Sequence, residues 1–302
     1  MNENELNSRF GAPGRIVFKR GFCGYPEAVI ANKYGSAEIA LLGANVLSYR
    51  PTGHSEVVFR PAKRDHNRGE SFHGGIPLCW PMFGNRFSKE LPQHGFARKS
   101  VFEVRGTEYS EEMTEITLGL RSDEETMKIW PHEFDLEFKI SVSMKLNLKA
   151  TTLNTGKEPF SFSCGFHPYF LLRERDGAIV RGLDGAEFFD GVKGVEGGVL
   201  EGDLKLDFAP DNIYTLADVA KHEFVIVDGG LKRAIAIVSS GNGKAVVWNP
   251  GEEGRLADLE ANDWRRFICV EPVSDWPGAR TLAPGESHCL MTAIQATLET
   301  PR

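Results

Sequence analysis

The chain has 302 residues and a formal net charge of −7, from 35 Lys and Arg against 42 Asp and Glu. This balance argues against a nucleic-acid binder, because such proteins concentrate positive charge against the phosphate backbone. Its 32 glycines are about 11% of the chain, where ~7% is usual. Together with 20 phenylalanines, they favour a turn-rich β protein over a helical bundle.

The start of the chain and its cysteines are typical of a cytoplasmic protein. Residues 1–12 are predicted to be a polar tail, since they lack the layout of a secretory signal. No window approaches the ~18 uninterrupted apolar residues of a membrane helix, so we expect no membrane contact. The five cysteines are widely spaced and contain no Cys-x-x-Cys pair, which argues against a disulfide framework or a zinc ribbon. We expect most of them to be core thiols.

In chain order, the predicted elements are nearly all strands. One helix is predicted at 122–130, with Ser122 as its N-cap and two glutamates in its first turn. The Gly-rich stretch 185–202 is interpreted as a long loop. The shorter β-like runs are residues 15–19, 37–42, 56–60, 101–105, 114–120, 204–208, 224–227, 234–238, 245–248, 267–270 and 288–298.

The clearest pattern is an alternation of apolar and polar residues. Every second residue is apolar from Leu136 to Leu148, which predicts one long strand with one buried face. A second alternation covers 160–167 after a turn signal at 154–157, and it is predicted to pair with the first as a hairpin. So many strands with so few helices predict an all-β fold, a single large antiparallel sandwich over residues 13–302.

Two residues at strand ends are candidates for acid–base chemistry. The alternation places Phe166 in the core and His167 on the opposite, polar face, and Pro168 keeps the backbone extended there. A rigid imidazole at a sheet rim suits a general acid or base, although a surface histidine is an equal alternative. Glu271 emerges from an apolar strand, and desolvation of its carboxylate suits a general base, although this local pattern alone favours the alternative of a structural salt bridge.

Other polar residues form weaker patterns. His94 and Arg98 follow a Gly- and Pro-rich segment, which is typical of ligand loops but also of ordinary solvated ones. The histidines considered as metal ligands are His54, His66 and His73, but no acidic residue stands at a matching spacing. We interpret these three as solvated loop histidines and predict no metal site.

Five motifs occur in a fixed order along the chain. They are GGIPLCWPMFG at 74–84, LPQHGFAR at 91–98, FHPYF at 166–170, VWNP at 247–250 and CVEP at 269–272. On these motifs the chain resembles the hexose-6-phosphate mutarotases, the glucose-6-phosphate 1-epimerase branch of the aldose 1-epimerase family, over about residues 16–298.

The resemblance implies a galactose-mutarotase-like antiparallel β-supersandwich with a few short helices. Its concave face would bind one small-molecule sugar or sugar phosphate, and it would interconvert α and β anomers without a cofactor or metal. His167 is then similar to the acid that protonates the ring oxygen, and Glu271 to the base that acts on the C1 hydroxyl. The residues similar to substrate ligands are Gln93 and His94, which orient the sugar, Arg98, which binds phosphate, and Asp211, which binds sugar hydroxyls.

One position departs from the family pattern. Members usually carry an Arg before the GGIP motif as a phosphate ligand, whereas this chain has His73, and a neutral imidazole binds a dianion less strongly than a guanidinium. Upstream basic residues are candidates for the missing charge: Arg60, Lys63, Arg64 and Arg68. The alternatives to a phosphosugar enzyme are an aldose 1-epimerase for unphosphorylated sugar and a non-catalytic carbohydrate-binding sandwich. We expect a cytoplasmic monomer.

Overall fold

Antiparallel strands make up most of the regular structure. The computed structural model describes residues 1–62, 72–85, 91–274 and 279–298. Its helices are α1 (Glu3–Phe10), α2 (Glu124–Ile129) and the 3₁₀ helices η1 (Phe22–Gly24), η2 (Ala97–Lys99) and η3 (Asp263–Arg266). The strands are β1 (Ile16–Arg20), β2 (Pro26–Asn32), β3 (Gly35–Ala40), β4 (Val46–Pro51), β5 (Leu78–Cys79), β6 (Glu103–Tyr109), β7 (Thr114–Arg121), β8 (Phe134–Val142), β9 (Leu146–Asn154), β10 (Phe160–Phe162), β11 (Cys164–Phe166), β12 (Tyr169–Leu171), β13 (Ile179–Arg181), β14 (Glu187–Asp190), β15 (Val195–Val199), β16 (Leu204–Lys205), β17 (Asp211–Thr215), β18 (His222–Asp228), β19 (Arg233–Ser240), β20 (Lys244–Trp248), β21 (Phe267–Ser274), β22 (Arg280–Leu282) and β23 (Ser287–Leu298).

Two large sheets dominate the topology. A nine-stranded sheet has the order β16-β13-β18-β19-β23-β9-β8-β7-β6, and an eight-stranded sheet has the order β15-β14-β17-β20-β21-β11-β5 with β12 also paired to β21. A four-stranded meander, β1-β2-β3-β4, and the pair β10-β22 complete the described sheets. The predicted all-β antiparallel fold is therefore confirmed.

The core lies between the two large sheets. Phe138 of the nine-stranded sheet stacks on Phe166 of the eight-stranded sheet, with ring centroids 5.5 Å apart, and neither is exposed. Burying one such ring stabilises the fold by roughly 1.5–3 kcal/mol. Because Phe166 is fixed inward, the next residue, His167, is directed to the outer face of the eight-stranded sheet.

The predicted long strand at 136–148 is wrong. It is two strands, β8 and β9, which pair with each other through a turn at residues 143–145. Ser143 Oγ accepts from the backbone N–H of Lys145, and Met144 at the tip is 65% exposed. The apolar alternation continues across the turn because a three-residue loop between Val142 and Leu146 preserves the two-residue period.

The predicted hairpin partner at 160–167 is also wrong. β10 pairs with β22, and β11 pairs with β5 and β21. Residues 185–202, predicted as a loop, contain the hairpin β14-β15. Position 197 of this hairpin requires glycine, because a Cβ there would clash with the ring of Phe188 at 2.1 Å.

Smaller differences concern the helix and one short run. α2 begins at Glu124 and its cap is Asp123, which accepts from two backbone N–H groups, whereas Ser122 Oγ accepts from Phe134 N. Residues 56–60 form no named strand, only a single bridge between Val58 and Phe170.

Residues of the expected polar tail form α1, which is capped by Asn2 and buries Leu6 and Phe10. The single domain over 13–302 stays a prediction. Three of the five free cysteines are buried, Cys79, Cys164 and Cys269, while Cys23 and Cys289 are half-buried. None of the helices in the described ranges has the length and apolar content to cross a bilayer.

Candidate active site

A cavity of about 420 Å³ opens on the outer face of the eight-stranded sheet, within the ~300–1,000 Å³ typical of ligand sites. Its floor follows the strand register, because Ile213, Val246 and Glu271 are cross-strand neighbours. All seven predicted site residues line it: His73, Gln93, His94, Arg98, His167, Asp211 and Glu271. The structure therefore brings these seven residues together in one cavity, which the sequence did not show, and their roles stay predictions.

The imidazole of His167 and the carboxylate of Glu271 form a close pair at the floor. His167 Nε2 lies 3.5 Å from Glu271 Oε2, and the two side chains are 10% and 1% exposed. The ring of His167 stacks on Tyr169, with centroids 4.8 Å apart, and its backbone N–H donates to Pro77 O. Among the described residues, His167 Nδ1 and Glu271 Oε2 have no hydrogen-bond partner, so both side chains keep polar capacity for a ligand.

The environment of this pair disfavours both charged forms. Burial, with a further contribution from the negative charge of Asp211, raises the pKa of Glu271 well above its usual 4.5. Burial is the main cause that lowers the pKa of His167 well below its usual 6.5, with further contributions from the nearby basic side chains of His94, Arg98 and His73. Titratable groups shifted this far in a cleft are typical of acid–base catalysis.

His94 is held as a neutral hydrogen-bond donor. Its Nδ1 accepts from the backbone N–H of Gly84 at 3.2 Å, so Nε2 carries the hydrogen. Burial, with the charges of Arg98 and His73, lowers the pKa of His94 to about 3. His94 and Gly95 both have positive φ, and a Cβ on Gly95 would lie 2.1 Å from Trp80 O, so glycine is required beside this histidine.

Two further basic side chains, Arg98 and His73, line the cavity. Arg98 Nη2 donates to Gln93 O at 2.9 Å. His73 is held by Asp258, whose carboxylate accepts from the backbone N–H of His73 and lies 2.7 Å from its Nδ1. Sequence reasoning missed Asp258, because it is 185 residues away along the chain and stands in no motif.

Arg60 does not supply the missing family charge. Its guanidinium pairs with Glu38 at 3.2 Å and Glu27 at 3.9 Å, outside the described lining of the cavity. His54 is likewise outside that lining. Three other candidates for the phosphate charge, Lys63, Arg64 and Arg68, lie outside the described residues, and so does His66, a candidate metal ligand.

Aromatic side chains form the cavity wall. Trp248 meets His167 edge-on at 5.7 Å, and Phe83 lies 6.4 Å from the same ring. Such faces suit the C–H surface of a sugar ring. Tyr169 and Trp248 stood inside the sequence motifs, but only the structure shows this role.

A third side chain lies beside the catalytic candidates. Possible ligand atoms of His167, Cys269 and Glu271 all lie within 4.8 Å of one another, so these are the described residues that would hold a metal ion. Burial raises the pKa of the Cys269 thiol well above its usual 9.0, which keeps it neutral and makes it a poor ligand. The absence of a metal in the reaction stays a prediction.

The fold and the site together define an antiparallel β-sandwich with an acid–base pair in a concave, aromatic-walled cavity. The chain matches the family model described as aldose 1-epimerase over residues 26–295. It therefore belongs to the aldose 1-epimerase family.

Individual relatives agree with this assignment. A Salmonella typhimurium protein is 31% identical over 81% of this chain and 82% of its own length, and one from Cenchrus ciliaris is 30% identical over 86% and 81%. Both are provisionally named glucose-6-phosphate 1-epimerase. Among solved structures, a protein from Salmonella typhimurium provisionally described as a mutarotase superposes with a TM-score of 0.87 at 25% identity, covering 98% of this chain and 99% of that one.

Proposed function

We propose that the protein is an isomerase, a hexose-6-phosphate mutarotase that interconverts the α and β anomers of a sugar such as glucose 6-phosphate. The observation that carries this proposal is the buried His167–Glu271 pair, 3.5 Å apart in the cavity. The names of the relatives at 30% and 31% identity support the phosphorylated substrate, as do the basic side chains of Arg98 and His73 in the cavity lining.

Ring opening requires one proton to leave the C1 hydroxyl and one to reach the ring oxygen. These two oxygens share the anomeric carbon, so the base and the acid must lie close together, as Glu271 and His167 do. Glu271 takes the hydroxyl proton while His167 protonates the ring oxygen, and the C1–O5 bond breaks to give the aldehyde. Rotation about C1–C2 presents the other carbonyl face, and the same groups act in reverse to close the ring.

The remaining lining residues orient the sugar. Asp211 and Gln93 offer hydrogen-bonding groups for hydroxyls, and His94 offers its Nε2 hydrogen. One positioned acid and one positioned base each contribute roughly 10²- to 10⁴-fold, together about 5–11 kcal/mol off the barrier. No covalent intermediate is required.

Exchange NMR or polarimetry on glucose 6-phosphate tests the proposal. We expect Glu271→Gln and His167→Gln each to lower kcat by about 10²- to 10⁴-fold, since each removes one proton-transfer group. Glu223→Gln, an exposed change on β18, is the matched control and should retain full activity. Wild-type rates no faster than buffer would contradict the enzyme and leave the non-catalytic sugar-binding sandwich.

The second candidate is an aldose 1-epimerase for unphosphorylated sugar, and it is favoured by His73 where family members carry Arg. The ratio of kcat/KM for glucose and glucose 6-phosphate decides between the two. We expect His73→Arg to raise kcat/KM for the phosphorylated sugar alone, because a guanidinium binds the dianion through two parallel hydrogen bonds.

A monomeric state and a cytoplasmic location belong to the same proposal. Both rest on the sequence expectations above. Size-exclusion chromatography with light scattering measures the first directly.

A further inference from the structure

Two small residues precede His167 on the same side of the chain. Phe166 points into the core, so its neighbours Gly165 and His167 are directed to the outer face of the eight-stranded sheet. Ser163 continues this outward row, yet it is fully buried. Another segment therefore covers the sheet beside His167, and that segment contains Phe83.

Two hydrogen bonds hold the covering segment on Ser163. The backbone N–H of Ser163 donates to Pro81 O at 3.0 Å, and its Oγ accepts from the backbone N–H of Phe83 at 2.9 Å. The second bond is buried, and a buried N–H that loses its acceptor is costly. The backbone of Phe83 is therefore held close to the sheet.

Gly165 leaves the space that the ring of Phe83 fills. A Cβ on Gly165 would lie 2.5 Å from Cδ2 and 2.9 Å from Cε2 of that ring, where ordinary contact is 3.4–4 Å. Gly165 does not have a left-handed φ, so its backbone would accept alanine and only the ring excludes it. Because the backbone of Phe83 is held, a side chain at position 165 would push the ring away from the sheet.

Phe83 and Gly84 in turn hold the ring of His94. Phe83 meets this ring edge-on with centroids 5.0 Å apart, and the backbone N–H of Gly84 donates to its Nδ1 at 3.2 Å. The backbone N–H of His94 donates to Gly84 O at 2.7 Å. The ring centroids of His94 and His167 lie 5.4 Å apart, and those of Phe83 and His167 lie 6.4 Å apart. The spacing of the two histidines therefore depends on where the Phe83 ring lies.

We propose that Gly165 and Ser163 are positioning residues, which act through the ring of Phe83. By fixing that ring, they set the spacing of His94 and His167, so that both histidines contact one sugar at the same time. Neither Gly165 nor Ser163 belongs to the described lining of the cavity, whereas Phe83 and both histidines do. This inference rests on the proposed function, because the two histidines must act on a single bound sugar.

Mutarotation kinetics of the intact protein with glucose 6-phosphate measure the effect. We expect Gly165→Ala to lower kcat/KM by about 10- to 100-fold, because misplacing a group by on the order of 1 Å costs up to about 10² in rate. Ser163→Ala should lower kcat/KM too, since the N–H of Phe83 loses its acceptor. Gly106→Ala is the matched control: Gly106 lies in β6 without a left-handed φ, and a Cβ there meets nothing within 4 Å. It should keep the wild-type rate.

A double variant separates positioning through the ring from a general disturbance of β11. Phe83→Ala removes the ring atoms that the methyl of Gly165→Ala would meet, and the next contact, Val273 Cγ2 at 3.2 Å, needs a shift of only a few tenths of an ångström. We therefore expect the double variant to match Phe83→Ala alone within about twofold in kcat/KM. If Gly165 acted independently of the ring, the two single losses would multiply.

Nuclear magnetic resonance of protein with ¹⁵N-labelled histidine reports on His94 without any catalysis. The two atoms nearest to a Cβ on Gly165 belong to the Phe83 ring, so the added methyl acts first on that ring. We expect Gly165→Ala to shift the Nδ1 resonance of His94, because its hydrogen bond from Gly84 N changes, and Gly106→Ala to leave it in place. A His94→Gln variant assigns the signal, and circular dichroism confirms that each variant is folded.

Three outcomes overturn the inference: wild-type kcat/KM in folded Gly165→Ala, a double variant whose loss is the product of the two single losses, or an unchanged His94 resonance in Gly165→Ala. Each of them leaves the enzyme assignment intact. A wild-type protein that does not accelerate mutarotation refutes the assignment itself, and the His94 resonance then still tests the positioning by Phe83. The two failures are therefore distinguishable.

Discussion

His167 and Glu271 need one proton between them to open a sugar ring. The reacting form has a protonated His167 and an ionised Glu271, and the neutral form has the same proton on Glu271. Burial disfavours both charges, so the empty site favours the neutral form. Because the two forms differ only in where the proton lies, binding of a sugar requires no proton from solvent.

This sharing of one proton predicts the pH profile. In acid, the pair gains a second proton when the imidazole of His167 is protonated. This happens below pH 6.5, the usual pKa of histidine, because the pKa of His167 is lowered. In alkali, the pair loses its one proton when Glu271 ionises. This happens well above pH 4.5, the usual pKa of glutamate, because the pKa of Glu271 is raised. We expect kcat/KM for glucose to be flat across neutral pH and to fall on both sides, as macroscopic values of the pair.

Glucose is the appropriate substrate for that profile, because it carries no phosphate group that titrates near neutral pH. The measurement is exchange NMR at constant ionic strength over the stable range of the protein. An acid limb at or above pH 6.5 would contradict the lowered pKa of His167 and, with it, the neutral pair.

At the scale of elements, the interface between the two large sheets fixes the direction of His167. Phe166 on β11 stacks on Phe138 of β8, and neither ring is exposed. We expect Phe138→Ala to lower the free energy of unfolding by about 3–5 kcal/mol, through lost burial and the cavity left behind. Urea unfolding measures this, and kcat should fall too, since β11 leads directly to His167.

Met144→Ala is the control for that change. Met144 lies at the tip of the turn that follows β8 and is 65% exposed, so its loss should change stability by no more than about 0.5 kcal/mol. Equal urea midpoints for the two variants would show that the stacked pair does not hold the sheets together.

The same elements show what periodicity can predict and what it cannot. Over residues 136–148, alternation identified the inward positions on both sides of the turn correctly, because inward and outward positions persist through a three-residue turn, but it also placed the exposed Met144 on the buried face. Because the alternation continues unbroken through the turn, it did not reveal the turn. It also did not predict that β11 pairs with β5 and β21, since strand partners distant in sequence leave no local pattern. Asp258 escaped prediction likewise, because only the fold brings it to His73.

The whole molecule carries a net charge of −7 but binds, on the proposed function, a dianion. Local geometry resolves this conflict, because charges farther than about 8 Å are largely screened at physiological ionic strength. Arg98 and His73 lie in the cavity itself, where screening by salt is weaker. Composition therefore argues against nucleic acid, a long polyanion, but not against a small phosphorylated ligand.

One cluster of buried apolar residues joins both large sheets, the four-stranded meander and α1. We therefore expect one cooperative thermal transition that shifts upward when substrate binds. At 100 times Kd, glucose 6-phosphate should stabilise the protein by about 2.7 kcal/mol, which raises Tm by about 4 °C for a protein of this size. Glucose at the same concentration should shift Tm less, and Arg98→Gln should reduce the shift by glucose 6-phosphate because the dianion loses a permanent charge. Differential scanning calorimetry measures both effects. Two transitions would contradict a single cooperative domain. A Tm shift by glucose 6-phosphate that is equal in Arg98→Gln and the wild type would show that Arg98 does not bind the phosphate.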